Sequence, residues 1–502
     1  MKVYKTDEVR NIALVGNAGS GKTTLAEAML LEGGVINRKG DVGTKNTVSD
    51  YNPIEQDYGN SVFSTLMHTE YNGKKINIMD TPGMDDLCGG VVSSLSVTAL
   101  GVLTVNATNG IEAGTEAAAR HAKKANTPLI VVFNQLDHDN SNYDSTLEQC
   151  KTAFGNKTTI VQYPVDAGPN FSAIIDVLKM KMYTYKDESG KPEISDIPEA
   201  ELEKAEELHN ELVEKAAENE EALMELYFDK GTLTEDEMRK GIKLGMLDLT
   251  LYPVFCTTAK KSIGVGRLME FITNIAPAPK EKKMTKIISG KEVKMDASEA
   301  PSVFVFKTAV EPHVGEITYF KVMSGVVKEG LDLINSKTGN KERLSQVFVP
   351  DGKSREKVDE LHAGDLGCTV KLKETRFNQT LAAKELGTEF APIVFPTPRH
   401  TVAAKAVADA DDEKVGEVLS KIKYEDPTYV IEYSKELKQQ LIHAQGEYHL
   451  NVLKWYFDNV HKVDVEYQRP RIPYRETITK PAQADYRHKK QSGVPVSLAK
   501  YT

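Results

Sequence analysis

The segment Gly16-Asn17-Ala18-Gly19-Ser20-Gly21-Lys22-Thr23 confines this chain to a narrow set of folds. A glycine-rich loop closed by Lys-Thr wraps phosphates with backbone N–H groups, and it needs a buried strand before it and a helix after it. Both are present: Asn11-Ile12-Ala13-Leu14-Val15 is an apolar run of strand type, and Thr23 to Leu31 is rich in Ala, Leu and Met. The pattern predicts Lys22 against the β- and γ-phosphates, the Thr23 hydroxyl on Mg²⁺, and Thr24 completing the contact set. A nucleoside triphosphate is the implied ligand.

Two later motifs narrow the ligand further. Asp80-Thr81-Pro82-Gly83 follows an apolar run and fits the second half of a nucleotide switch. In such a switch the Asp80 carboxylate holds Mg²⁺ through water, and the Gly83 N–H donates to the γ-phosphate. Proline and glycine also favour plain turns, so this motif alone is ambiguous. Asn134-Gln135-Leu136-Asp137, directly after the strand-like run ending at Phe133, breaks the tie. A carboxylate at Asp137 can accept both the N1–H and the exocyclic amine of guanine, a pair that adenine does not offer.

The bulk properties bound the rest. A chain of 502 residues is too long for one core and predicts about three or four domains. A net charge of −10 argues against a surface that is basic throughout, so any RNA contact is local. Cys88, Cys150, Cys256 and Cys368 lie far apart without ligand spacing, which points to free thiols in a reducing cytoplasm. The N-terminus lacks an apolar signal core, and no stretch approaches the roughly 20 apolar residues of a membrane span.

Residues 1–280 alternate apolar runs with helical segments, among them Ile76 to Met79, Leu100 to Val105 and Leu129 to Phe133, as in a parallel α/β sheet. Within this unit, residues of about 195–250 are dense in Glu and Lys around Leu202, Leu208, Leu212, Val213 and Ala216, which predicts a helical insertion. Residues 281–395 carry short β-rich runs broken by Ser324-Gly325, Thr338-Gly339 and Asp351-Gly352, as in a small β-barrel. Residues 396–475 pair strands with helices at 411–424 and 447–460, an α+β sandwich. Residues 476–502 read as the start of a fourth domain.

These motifs resemble the translational GTPases, and specifically elongation factor G. The resemblance runs through Gly315-Glu316-Ile317-Thr318-Tyr319-Phe320-Lys321-Val322, Ala363-Gly364-Asp365 and Glu425-Asp426-Pro427-Thr428. It continues through Gly446-Glu447-Tyr448-His449-Leu450, Tyr474-Arg475-Glu476-Thr477-Ile478 and His488-Lys489-Lys490-Gln491-Ser492-Gly493. It implies a monomeric cytoplasmic factor that binds GTP or GDP with Mg²⁺, meets the ribosome near the sarcin-ricin loop and, in the intact family, moves tRNA and mRNA. The acidic helices from Glu199 to Glu225 would face the ribosomal stalk or simply be solvated.

Four positions depart from the family pattern. Where family members follow Asp-Thr-Pro-Gly with a histidine that orients the attacking water, this chain has Met84, whose thioether donates no hydrogen bond. Such a group is worth a factor of roughly 10² to 10⁴ in rate. Ser61 replaces the family's Mg²⁺-coordinating threonine, Gly19 replaces a common aspartate, and Gln135 replaces a lysine. The expectation is a factor that binds GTP and hydrolyses it slowly. The competing readings are an active GTPase that has reassigned the role to Asp85, Asp86 or His68, and a ribosome-occupying regulator or protection factor. Asp137 disfavours a P-loop kinase.

Other residues have plainer readings. His443 and His449 are expected to pack or face the ribosome, Trp455 to lie in the core beside Leu453 and Phe457, and Arg487-His488-Lys489-Lys490 to offer an RNA phosphate contact. In the family, Lys-Lys-Gln-Ser-Gly leads into Gly-Ala-Gly-Gln-Phe-Gly-Glu-Val and two further domains. One allowed codon set for that stretch and the CAC codon after it, shifted by loss of the first base, encodes Val494-Pro495-Val496-Ser497-Leu498-Ala499-Lys500-Tyr501-Thr502, as found here. The expectation is a frame-shifted end at 494–502, a strand at 482–489 without sheet partners, and failed translocation.

Overall fold

The computed structural model describes residues 2–480 apart from Glu188, Met284, Pro312, His313 and Ile478. The expected strand at 482–489, the basic stretch at 487–490 and the end at 494–502 lie outside the described residues.

Apolar runs with no polar alternation become parallel strands buried on both faces, and the first part of the chain is built on them. Its strands are β1 (Val9–Val15), β2 (Thr65–Tyr71), β3 (Lys74–Asp80), β4 (Leu100–Asn106), β5 (Leu129–Asn134) and β6 (Thr158–Ile160). An antiparallel sheet of β7 (Gln162–Pro164), β8 (Ala173–Asp176), β9 (Lys181–Thr184) and β10 (Glu193–Ser195) follows, before β11 (Tyr252–Cys256) returns to the main sheet. The main order is β2-β3-β1-β4-β5-β11-β6, parallel except for the β2–β3 hairpin. All seven residues of β1 are buried.

The helices of this part are α1 (Lys22–Glu32), α2 (Pro53–Tyr58), α3 (Cys88–Val97), α4 (Ala113–Lys124), α5 (Tyr143–Phe154), α6 (Glu199–Ala217), α7 (Glu221–Lys230), α8 (Glu235–Leu247) and α9 (Val265–Asn274). Local chemistry sets several starts. Thr234 caps α8 in a reciprocal box with Glu237, whose Oε2 accepts the Thr234 N–H at 2.7 Å. Helices α6 to α8 form the acidic insertion, with Ala205, Leu212, Val213 and Ala216 turned inward.

The next part is a half-barrel. Its eight antiparallel strands begin with the long pair Ser302–Glu311 and Gly315–Ser324. One face of that pair, with Val303, Val305, Phe320 and Val322, fills the half-barrel core. The other face, with Phe304, Phe306, Ile317 and Tyr319, joins the core of the first part. A polar clasp reinforces this junction: Lys75 Nζ donates to Asp365 Oδ1 at 2.9 Å, Asn77 Nδ2 to the same oxygen at 2.8 Å, and Asn11 Nδ2 to the Gly364 carbonyl at 2.7 Å. Lys75 and Asp365 are both buried, so each charge depends on the other.

The last described part is an α+β sandwich with strands in the order 430–434, 439–444, 400–406, 465–468. Helices α10 (Asp412–Glu425) and α11 (Glu447–Trp455) pack Val415, Val418, Leu419, Ile422, Leu450 and Leu453 against the sheet. Trp455 departs from expectation. Leu453 and Phe457, two residues to either side, face the sheet, so Trp455 is turned away from it and packs instead at the edge of the cluster of Ile54, Val62, Leu87 and Val452. It lies half-buried, its Nε1 donating to Asp57 Oδ2 at 3.1 Å. His449 is fully buried, with Nε2 3.0 Å from Asp426 Oδ2 and its ring stacked on Tyr429 at 3.6 Å. His443 is partly buried, its Nδ1 2.8 Å from Thr401 Oγ1.

Candidate functional site

The strand β1 delivers the chain into residues 16–21, and α1 begins at Lys22, so the first N–H groups of the helix face the loop. Gly21 sits at φ 88°, and a Cβ there would lie 2.4 Å from Asn134 Nδ2. Asn134, at the end of β5, uses that amide to donate to the Ser20 carbonyl at 2.9 Å. The base motif is therefore fastened to the phosphate loop. Gln135 adds a second tie, Nε2 to the Gly19 carbonyl at 2.9 Å, from a backbone at φ 64°. Asn17 is partly buried, and the Ser20 hydroxyl is buried with no hydrogen-bond partner.

Residues Ala18, Gly19, Gly21, Lys22, Thr23 and Thr24 line one side of a cavity of about 230 Å³. Val42, Asp50, Gly59, Asn60, Ser61, Gly83, Met84 and Gln135 line the rest. The Lys22 amine donates to the carbonyls of Gly16 at 3.0 Å and Asn17 at 2.9 Å. Burial pulls it down to about 8 despite the nearby Asp80 and Asp50 carboxyls. Gly83 brings the second switch against the loop: a Cβ would lie 2.6 Å from the Ala18 nitrogen and 2.5 Å from Lys22 Nζ. The Asp80 turn can approach this closely only with glycine there.

Four oxygen-bearing side chains meet beside Lys22. Thr23 Oγ1 donates to Asp80 Oδ2 at 2.7 Å and lies 3.1 Å from Ser61 Oγ. Asp50 joins them from the loop between α1 and α2, 4% exposed, and among the described residues neither Asp50 Oδ1 nor Asp80 Oδ1 has a hydrogen-bond partner. Burial, then the neighbouring Asp80 and Glu55 carboxyls, pushes Asp50 up to about 8, and burial raises Asp80 as well. Two buried carboxyls with orphan oxygens beside two hydroxyls suit a small hard dication, which needs oxygen donors and negative charge. These residues therefore fit Mg²⁺. The sequence analysis missed Asp50, which lies in a loop with no motif of its own.

Asp137 stands at the far end of the site. Its Oδ1 accepts from Thr258 Oγ1 at 2.5 Å, and its Oδ2 lies 3.3 Å from Lys261 Nζ. The Ala259 N–H donates to Asn134 Oδ1 at 3.0 Å. The turn Thr257-Thr258-Ala259 thus completes the base motif, and sequence reasoning missed it as well. Its signal was present: a small polar run directly after β11, at the same edge of the sheet where β5 delivers Asn134.

Met84 is half-buried, reaching from the cavity wall onto the apolar cluster of Ile54, Val62, Leu87 and Val452. Two of the three groups considered as substitutes for it are engaged elsewhere. His68 is buried on β2 with Nδ1 3.4 Å from the Pro350 carbonyl oxygen, and burial first, then Lys75, lowers its pKa. Asp86 points at α11, its Oδ2 accepting the Tyr448 N–H at 2.8 Å. Asp85 is exposed.

Comparison with known proteins adds to this geometry. The Elongation factor Tu GTP binding domain profile matches residues 7–278, the Elongation factor G domain 2 profile 300–384, and the Elongation Factor G, domain III profile 395–469. A Thermotoga maritima protein described as "Elongation factor G-like protein" is 32% identical over 489 residues, 97% of this chain and 70% of its own. The chain belongs to the elongation factor G family of translational GTPases. A crystal structure from Thermus thermophilus superposes with a TM-score of 0.85 at 30% identity, covering 97% of this chain and 71% of that one. As an elongation-factor-G-like protein, the chain carries a GTP-binding domain followed by a half-barrel and a sandwich domain. Among the described residues no helix is long and apolar enough to cross a membrane.

Proposed function

We propose that this chain is a cytoplasmic, ribosome-directed factor that binds GTP and GDP and hydrolyses GTP slowly. Asp137 would select guanine, Asn134 and Gln135 would hold the base motif to the loop, and residues 16–24 would cradle the phosphates. Thr23, Ser61, Asp80 and Asp50 would hold Mg²⁺, which when bound supplies positive charge to the β- and γ-phosphates. Gly83 would sense the terminal phosphate from its place against Ala18.

The observation that carries the slow-hydrolysis reading is Met84 on the cavity wall beside Gly83, with a side chain that cannot donate to water. His68 and Asp86 support it, because each already has a partner away from the cavity. Family membership supports a ribosomal partner; engagement would be near the sarcin-ricin loop, and the acidic helices α6 to α8 would either meet the stalk or be simply solvated. Multiple-turnover phosphate release with purified ribosomes tests the reading. A rate below that of an ordinary elongation factor by roughly 10² or more is expected, and a matching rate overturns it.

The second reading, an active GTPase with a reassigned group, is narrowed to Asp85, exposed and next to Met84. It requires Asp85→Asn to abolish ribosome-stimulated turnover.

A further inference from the structure

The segment between α1 and β2, which carries Ser61 and is the first of the two nucleotide switches, reaches the outer side of the base-clasping turn. Lys39 Nζ donates to the Ala259 carbonyl at 3.2 Å, to Ser262 Oγ at 3.0 Å, and to the Lys260 carbonyl. The inner side of the same turn is gripped by Asn134 and Asp137, through the Ala259 N–H at 3.0 Å and Thr258 Oγ1 at 2.5 Å. Lys39 therefore closes a ring of bonds around the Thr258–Ser262 turn.

Lys39 is itself held in place. Its neighbour Gly40 donates its N–H to Glu27 Oε2 at 2.7 Å, and Val48 donates to Glu27 Oε1 at 2.6 Å. Glu27 lies on α1, 1% exposed, with burial raising its pKa against the pull of those two N–H groups. A continuous path of direct bonds thus runs from the phosphate-loop helix, through the folded first switch, to the turn that frames Asp137. Switch segments of this kind order and release with the state of the terminal phosphate. Release of residues 39–48 would remove the ammonium from three acceptors and leave the turn held on one side only.

We propose that Lys39 is a positioning residue for guanine: it braces the Thr258–Ser262 turn only while the first switch is folded, so the residence time of the nucleotide depends on that switch. This rests on the GTP-binding reading above. Charged donors to carbonyls make the stronger class of hydrogen bond, and the loss of one such brace acts on dissociation rather than encounter.

The test is stopped-flow displacement of the non-hydrolysable N-methylanthraniloyl-β,γ-imido-GTP, which keeps the terminal phosphate, from the full chain by excess GTP. Lys39→Ala is expected to raise the dissociation rate about tenfold and leave association within about twofold, while Lys39→Arg stays within about threefold of the parent. Lys45→Ala, the same loss of charge on the same loop, should leave both rates unchanged. A Lys39→Ala dissociation rate within about twofold of the parent overturns the brace, as does an arginine variant no slower than the alanine one. Should alanine lower the melting temperature, the Lys39→Arg and Lys39→Gln pair decides by the same rates. A parent chain that binds no labelled triphosphate analogue takes the GTP-binding reading down together with the brace, whereas saturable binding with an indifferent Lys39→Ala removes the brace alone.

Discussion

Asp86 and Tyr448 join the second switch to the third domain: Asp86 Oδ2 accepts the Tyr448 N–H at 2.8 Å in the first turn of α11. Helix N-termini carry unpaired N–H groups and partial positive charge, so a carboxylate from another domain is a favourable cap. Gly446 makes room for it, since a Cβ there would lie 2.1 Å from Asp86 Oδ1. Asp86→Ala should cost about 1–2 kcal/mol in denaturant unfolding and speed amide exchange at the start of α11. Protection there equal to the parent would show that the cap contributes nothing.

Met84→His puts a donor back on the cavity wall beside Gly83. Ribosome-stimulated phosphate release should rise at least about tenfold, with nucleotide affinity nearly unchanged, since the substitution acts on the attacking water. The cost is packing on Ile54, Val62, Leu87 and Val452, of about 1 kcal/mol in thermal unfolding. An affinity change without a rate change would place the residue in binding instead.

Asp50→Asn should separate folding from metal binding. Without Mg²⁺ it removes a carboxyl that burial and Asp80 push up to about 8, so the metal-free chain should melt higher at pH 8. The rise in melting temperature that Mg²⁺ and GDP give the parent should shrink, because one of two carboxyls facing Thr23 and Ser61 is gone. A variant with an undiminished Mg²⁺ shift would exclude Asp50 from the ion site.

Glu425 provides a pH test at the seam between the half-barrel and the third domain. Its Oε1 accepts the Val310 N–H at 2.7 Å. Burial pushes the carboxyl from an ordinary value of about 4.5 up to about 7, against the opposing pull of Val310 and Lys307. The folded chain therefore holds this proton more tightly than the unfolded chain, and its contribution is fully present below about pH 4.5 and lost as pH rises through 7. Urea unfolding of the parent and Glu425→Gln across pH 5 to 8 should show the parent losing stability relative to the variant as pH rises; parallel curves would sink the assignment.

The legible parts of the site are those that one stretch of chain builds alone. The phosphate loop needs only β1, a glycine-rich turn and α1, and the strands β4, β5 and β11 announce themselves because burial on both faces leaves them no polar alternation. Asp50 was illegible for the opposite reason. Its meaning arises when a loop is brought beside Asp80 and Thr23, and nothing periodic surrounds it. Thr258 and Lys261 lie more than a hundred residues from Asp137 in sequence and meet it only because β5 and β11 are neighbours in the sheet. Trp455 misled because an aromatic between Leu453 and Phe457 reads as core, whereas alternate positions on a helix face opposite sides.

The buried clasp of Lys75 with Asp365 joins two domains. Removing either partner would strand the other charge out of reach of water at a cost of about 3–5 kcal/mol, so the pair fastens the nucleotide domain to the half-barrel. Tyr58, Asp57 and Asp86 reach the third domain through hydrogen bonds around a small buried cluster in which Val452 meets Ile54, Val62 and Leu87. The third domain is thereby seated on the wall of the nucleotide cavity, because Met84 lines that cavity and packs on the same cluster.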